Sequence, residues 1–153
     1  MKEIKFKAIA LGVEGMWLIG DVRHHKDDVC IFEQGGSKGE QVVKETVCQF
    51  TGKKDRNGKD IYEGDILRSD DYPFSDGDEK DNYLGIVFWD DEENLHQVMQ
   101  FASKQCERRG ISNFINKAFY DINFEQVEVI GNVHTSKGLF RDPDEDIMRW
   151  FKS

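Results

Sequence analysis

Apolar and polar side chains alternate with a period of two along several short segments of this chain. Near the N-terminus, Ile4, Phe6 and Ala8 alternate with Lys5 and Lys7. This is the spacing of a β-strand, whose successive side chains point to opposite faces of a sheet. Alternation or a short apolar run predicts strands at 4–10, 16–22, 29–32, 66–68, 83–89 and 127–133. The chain has 14 glycines and 2 prolines, so we expect glycine-based turns between the strands.

These patterns predict a mainly β fold, a β-rich α+β domain with six or more strands in a small twisted barrel or sandwich. Asp142, Pro143 and Glu145 have the spacing of a capping box with proline at the first helical position. Apolar residues at helical spacing follow at Ile147, Met148, Trp150 and Phe151. We therefore expect a short C-terminal helix. The segment 95–118 fits either a helix or a strand, and periodicity alone does not decide between them.

The length of 153 residues predicts a single domain, 1–153, that is large enough to bury a core. The longest apolar run, 84–89, is far shorter than a membrane span. The N-terminus lacks the apolar stretch of a secretory signal, so we expect a cytoplasmic protein. The three cysteines, Cys30, Cys48 and Cys106, are widely spaced. We expect free thiols and no disulfide, zinc site or other cofactor.

Acidic residues are concentrated in one part of the chain. The net charge is −9, and residues 69–93 contain ten acidic residues against Lys80 alone. The simplest interpretation is a solvated surface that favours solubility. Two other interpretations stay open: a decoy that imitates nucleic acid, and a divalent-metal site of a phosphoesterase or nuclease. The carboxylates that flank predicted strands and could form that site are Asp65, Asp70, Asp71, Asp90, Asp91 and Glu92.

The polar segment 51–60 predicts a hairpin. It has no apolar residue and contains Asn57-Gly58, a dipeptide that tolerates the positive φ of tight turns. We expect this hairpin to be structural and to offer a contact surface. Its residues are Gly52, Lys53, Lys54, Asp55, Arg56, Asn57, Gly58, Lys59, Tyr62, Gly64 and Asp65. Its cations also suggest a nucleic-acid-binding module at 53–62, although the isoelectric point near 4.9 makes nucleic acid an unfavourable partner.

No known catalytic signature accompanies the four histidines that could act as general bases, which are His24, His25, His96 and His134. The sequence lacks a nucleophile elbow, a Walker loop and a dinucleotide-binding fingerprint. We therefore assign no catalytic residue and expect a role other than catalysis, with the metal-dependent enzyme kept as an alternative.

Three stretches together resemble the YopX family of phage and prophage proteins: 1–8 followed after a glycine-containing turn by 17–21, then 45–66, and then 128–134. The middle stretch, Glu45 to Ile66, is the most specific, and residues 69–125 depart from the family pattern. The resemblance implies a compact β-rich core and a gene carried by a phage or prophage, without implying an activity. We therefore expect an accessory protein that acts through protein–protein contacts in the host cytoplasm. Its partner is unknown, and a second copy of the chain is one candidate.

Overall fold

The computed structural model describes residues 3–33, 36–69, 83–102 and 115–136. Within these ranges the chain is almost entirely β-strand and turn. The strands are β1 (Phe6–Ile9), β2 (Trp17–His25), β3 (Asp28–Phe32), β4 (Gly39–Gln41), β5 (Cys48–Lys54), β6 (Asp60–Tyr62), β7 (Asp65–Ser69), β8 (Tyr83–Asp90), β9 (Leu95–Ala102), β10 (Ile115–Ala118) and β11 (Val127–Asn132). Short 3-10 turns occupy Lys44–Thr46, Phe119–Asp121 and Phe124–Gln126. The mainly β prediction is therefore confirmed.

The chain divides into two compact units, Met1–Gly52 and Lys53–Ser153. The first unit holds an antiparallel sheet with strand order β4-β3-β2-β1-β5. Its inward-facing side chains alternate along β1, β2 and β3 and form one apolar cluster. The buried members are Ala8, Ala10, Leu18, Val29, Ile31 and Val42. Period-two alternation therefore places the core of this unit on one face of its sheet.

A close backbone approach joins β2 to the end of β3. A Cβ atom added to Gly20 would lie 2.0 Å from the carbonyl oxygen of Phe32. Asp21 and Phe32 are paired in the β2–β3 ladder, so this contact lies at the end of that pairing. Only a residue without a side chain fits there.

The second unit holds an antiparallel sheet with strand order β10-β9-β8-β7-β11. Successive residues of its central strands enter two different apolar clusters. Ile66, Ile86 and Met99 belong to one cluster together with Leu84, Phe88 and Val133. Leu67, Val87 and Val98 belong to the other, together with Ile61, Ile122, Val127 and Val129. The central strands are therefore buried on both faces, which explains the continuous apolar run in β8.

Strand pairing resolves part of the segment that the sequence left ambiguous. Residues 95–102 form β9, which pairs with β8 from Asp90↔Leu95 to Tyr83↔Ala102, and residues 115–118 form β10.

Neither sheet closes on itself within the described ranges, so a barrel is not seen there. The predicted helix at 142–151 lies outside the described residues. In the described part of the chain, no helix has the length and apolarity needed to cross a membrane.

Replacing Gly20 tests the close approach between β2 and β3. We expect Gly20→Ala to lower the free energy of unfolding by about 2–3 kcal/mol, because the added methyl group meets backbone that cannot rotate away. Urea unfolding followed by circular dichroism measures this change. Asp21→Ala, at the exposed neighbouring position, is the control. Equal stability of the two variants would contradict the close approach of β2 to the end of β3.

Candidate functional site

The hairpin between β5 and β6 is closed by a buried carboxylate. Asp55 is 7% exposed, and its Oδ1 accepts the backbone N–H groups of Asn57 at 2.8 Å and Lys59 at 2.9 Å. Gly58 has a φ of 79°, and its N–H donates to the Asp55 carbonyl at 3.0 Å. The predicted Asn-Gly turn therefore forms, and Asp55 satisfies the N–H groups at its tip.

The same carboxylate fastens the hairpin to a distant strand. Oδ2 of Asp55 accepts the backbone N–H of Val129 in β11 at 2.9 Å, and the N–H of Arg56 donates to the Val127 carbonyl at 2.9 Å. Asp55 thus accepts three backbone N–H groups, which stabilises its charge inside the protein.

Asp65 plays a comparable part at the start of β7. It is fully buried; its Oδ2 accepts the backbone N–H of Tyr62 at 2.8 Å, and its Oδ1 accepts the side-chain amide of Asn132 at 2.9 Å. Gly64 lies between Tyr62 and Asp65 in the sequence. Its N–H donates to the Val87 carbonyl at 2.7 Å, and its carbonyl accepts from the N–H of Val133 at 2.9 Å. The turn at 63–64 is therefore held to both β8 and the end of β11.

The predicted hairpin residues fall into two groups. Exposed are Gly52, Lys53, Lys54, Arg56, Asn57, Gly58 and Lys59, whereas buried are Asp55, Tyr62, Gly64 and Asp65. The buried members with described contacts make internal hydrogen bonds. Any contact surface on this segment belongs to the exposed members.

Several hairpin cations already have partners. Lys54 contacts Asp60 at 2.8 Å, and Arg56 contacts Glu128 at 2.6 Å. Arg68 of β7 contacts the same Glu128 oxygen at 3.0 Å. The hydrogen bond from Arg68 and the charge of Arg56 lower the pKa of Glu128 against the opposing effect of partial burial. These pairings reduce the positive charge offered to a phosphate backbone.

The proposed metal-binding carboxylates do not converge among the described residues. Asp65 is engaged as above, and Asp90 accepts the N–H groups of Glu92 and Glu93 and the side-chain amide of Gln97. Asp70 and Asp71 lie outside the described residues. Within the described ranges no group of three or more His, Cys, Asp or Glu side chains could hold a metal ion.

The four histidines occupy different surroundings. His24 and His25 are exposed in β2. The backbone N–H of His134 donates to the side-chain oxygen of Asn132 at 3.0 Å. His96 in β9 is 7% exposed. Of the four histidines, His96 is therefore the one that the described fold buries. The sequence pattern alone does not distinguish it from the other three.

A second titratable side chain faces His96. Nε2 of His96 lies 3.7 Å from Oε2 of Glu63, which is longer than a hydrogen bond. Both atoms are buried, and neither has a hydrogen-bond partner in the described part of the protein. Sequence reasoning did not single out Glu63, because no local signal links residue 63 to residue 96.

Aromatic rings surround the imidazole. The ring centroids of His96 and Trp89 are 4.9 Å apart in an edge-on arrangement, and those of His96 and Phe119 are 5.3 Å apart. Phe119 in turn contacts Phe124 at 5.0 Å, and Nζ of Lys53 lies 5.9 Å from the Phe124 ring. We call Trp89, His96, Phe119 and Phe124 the aromatic row.

The turn between β1 and β2 exposes large apolar side chains. Leu11 is 53% exposed, Val13 49% and Met16 46%. The turn is nevertheless ordered by hydrogen bonds from Ala10 N to Met16 O at 2.8 Å and from Val13 N to Ala10 O at 3.3 Å. We call residues 11–16 the apolar turn. The sequence prediction placed Met16 inside a strand, but β2 begins at Trp17.

Removing the Asp55 carboxylate tests its structural role. We expect Asp55→Ala to lower the free energy of unfolding by about 2–4 kcal/mol, because buried N–H groups lose their acceptor. Lys54→Ala, which breaks only an exposed ion pair on the same hairpin, should cost less than about 1 kcal/mol. Urea unfolding of both variants gives the comparison. Similar losses in the two variants would refute this role for Asp55.

The stability contributed by Glu128 should depend on pH. Because folding lowers the pKa of Glu128 from its ordinary value of 4.5, its contribution is present above that value and disappears as the pH falls through the lowered pKa. Glu128→Gln should therefore destabilise the protein at neutral pH and lose this effect in acid. Urea unfolding of the variant and the natural chain at neutral and at acid pH measures the difference in their free energies of unfolding. A difference that does not change with pH would contradict the prediction.

Comparison with known proteins complements this geometry. No curated protein matches the chain. The family model described as YopX protein matches residues 5–141, a range that includes the hairpin, both buried aspartates, the aromatic row and the apolar turn. The chain therefore belongs to the YopX family.

Proposed function

We propose that this protein is a non-enzymatic accessory protein that acts through protein–protein contact and that the apolar turn is its contact surface. The expected setting is the bacterial cytoplasm during the life of a phage or prophage, as the family resemblance implies. The proposed occupant of the turn is an apolar surface on a protein partner. Self-association through the apolar turn is the other outcome that the binding experiments distinguish.

The proposal is carried by the half-exposed side chains of Leu11, Val13 and Met16. Apolar side chains exposed together on an ordered turn are typical of protein contact sites. Each retains about half of its surface to bury against a partner. Burial of apolar surface contributes roughly 25 cal/mol per Å² before the costs of association are subtracted.

The turn is suited to binding because its backbone is fixed. Ala10 and Met16 close it by a hydrogen bond at 2.8 Å, and the N–H of Leu11 donates to the Gln41 carbonyl at 2.9 Å. A surface held in its bound conformation loses less conformational entropy on association. The apolar turn therefore has both the surface and the rigidity of a contact site.

The alternatives predicted from the sequence have less support. A nucleic-acid-binding hairpin would need free cations, yet Lys54 and Arg56 contact carboxylates. A metal-dependent phosphoesterase would need converging carboxylates, and Asp65 and Asp90 instead accept internal hydrogen bonds. Protein contact is the function that these observations favour.

Polar substitutions on the apolar turn test the proposal. We expect the triple variant Leu11→Ser, Val13→Ser, Met16→Ser to lose partner binding because the apolar contact area is removed. Pull-down from a bacterial lysate detects a different protein as partner, and analytical ultracentrifugation detects self-association. The fold should persist, since the replaced side chains are half exposed.

The matched control carries Ile4→Ser and Tyr120→Ser, which are 67% and 81% exposed at other positions. This control should retain whatever partner the natural chain binds. The proposal fails if the turn variant binds as well as the control does, or if the natural chain neither recovers a partner nor self-associates.

A further inference from the structure

Strand β2 of the first unit turns one face toward the core and the other face away from it. Leu18 belongs to the core cluster and Val22 packs against that cluster, so the alternate residues of β2 project from the opposite face of the sheet. These residues are Trp17, Ile19, Asp21 and Arg23. Ile19 is 48% exposed although β2 lies between β1 and β3. An apolar side chain is therefore open to contact in the middle of the sheet.

A cation lies over an aromatic ring on each side of Ile19. Nζ of Lys7 in β1 lies 4.6 Å from the centroid of the Trp17 ring, and Cζ of Arg23 lies 4.3 Å from the centroid of the Phe32 ring in β3. Both distances are within the range of cation–π interactions. We call Lys7, Trp17, Ile19, Arg23 and Phe32 the cationic face. It combines apolar surface with positive charge contributed from three neighbouring strands.

The guanidinium of Arg23 is placed to receive a carboxylate. Arg23 is exposed, and it forms no ion pair with Asp21 or with any other carboxylate in the described part of the chain. A guanidinium that lies over a ring keeps its N–H donors at its edges, where a carboxylate binds them in a bidentate manner. Because Phe32 pairs with Asp21, this guanidinium lies about two residues along β2 from Ile19, or roughly 7 Å.

We propose that the cationic face docks an extended segment of a protein partner in which an aspartate or glutamate lies two residues from an apolar side chain. The apolar side chain packs against Ile19 and Trp17, and the carboxylate accepts hydrogen bonds from Arg23. The positive charge of Lys7 adds to the attraction. This inference goes beyond the function proposed above, because it concerns a different surface and gives the chemistry of the segment that binds there.

The arrangement of the cations favours a protein segment over a nucleic acid. Single-stranded nucleic acids bind by stacking bases on aromatic rings, whereas the rings of Trp17 and Phe32 each have a cation over one face. Asp21 shares this side of the sheet, and the chain has a net charge of −9, so a chain of phosphates meets repulsion. A segment with few carboxylates can reach Arg23 with much less repulsion.

The test uses the purified full-length chain and a capped peptide of sequence Leu-Leu-Glu-Glu-Leu-Leu. When extended, this peptide presents leucine and glutamate two residues apart on either side. The same peptide with glutamine in place of glutamate is the ligand control, and NMR titration measures both affinities. We expect the acidic peptide to bind about fivefold more tightly than the neutral one, and Arg23→Gln to abolish this preference. Ile19→Ser should weaken the binding of both peptides.

The protein control is Lys44→Gln, which removes one exposed positive charge elsewhere in the first unit and should keep the preference for the acidic peptide. The proposal is overturned if Arg23→Gln keeps that preference, if Lys44→Gln loses it to the same extent, or if the natural chain binds neither peptide. Tighter binding of a hexathymidylate than of the acidic peptide would also overturn it. Thermal melting of each variant verifies that it is folded.

The same spectra locate the peptide. The chain has three tryptophans, and each gives one indole N–H signal in a ¹⁵N spectrum. The Trp17 signal, assigned by its absence from Trp17→Phe, should shift when the acidic peptide is added. Shifts confined to the other two indoles would place the peptide elsewhere and refute the site. The apolar-turn variant should keep the preference for the acidic peptide, because Arg23 is unchanged, so failure of either proposal leaves the other standing.

Discussion

The buried carboxylate of Asp55 is the interaction on which the second unit depends most. It accepts N–H groups from Asn57 and Lys59 within the hairpin and from Val129 in β11. Local turn closure and long-range attachment therefore share one side chain. A neutral residue of similar size could not replace all three bonds, and the unpaired N–H groups would remain buried. The polar segment 51–60 can therefore fold without apolar residues of its own, because hydrogen bonding to β11 takes the place of a core.

Asp65 extends this arrangement to the start of β7. Its bonds to Tyr62 and Asn132 hold the turn at 63–64 next to the end of β11. Glu63 projects from that turn, so its position opposite His96 is a consequence of the Asp65 contacts. The residues that make the family hairpin recognisable thus act on the candidate site indirectly, by fixing the backbone from which Glu63 extends. The hairpin is therefore a structural motif, and the surfaces that can bind a partner are separate from its buried residues.

The sequence predicted the strands well where one physical constraint dominated. Alternation along β1 and β2 and the apolar run in β8 are direct consequences of burial on one or both faces of a sheet. The segment 95–102 was ambiguous because Leu95, Val98 and Met99 satisfy both periods. Its pairing with β8 selects the strand, and such long-range pairing has no local signature. For the same reason, the approach of Glu63 to His96 could not be predicted. The exposure of Leu11 and Val13 also depends on tertiary packing, which hydropathy alone does not specify.

The buried aspartates differ from the Glu63–His96 pair in their hydrogen bonding. Asp55 and Asp65 each have hydrogen bonds at both carboxylate oxygens, and they lie in the same unit as Glu63. Oε2 of Glu63 and Nε2 of His96 are held differently, since they face each other at 3.7 Å without a hydrogen bond in the described part of the chain. The two aspartates bond directly to the backbone or to an amide, so they fix the turns that carry them. The separation of Glu63 and His96 is instead set by the backbone of those turns and by the rings of Trp89 and Phe119 that contact the imidazole. Buried carboxylates in this unit therefore serve first to fix the fold, and the facing pair takes its geometry from them.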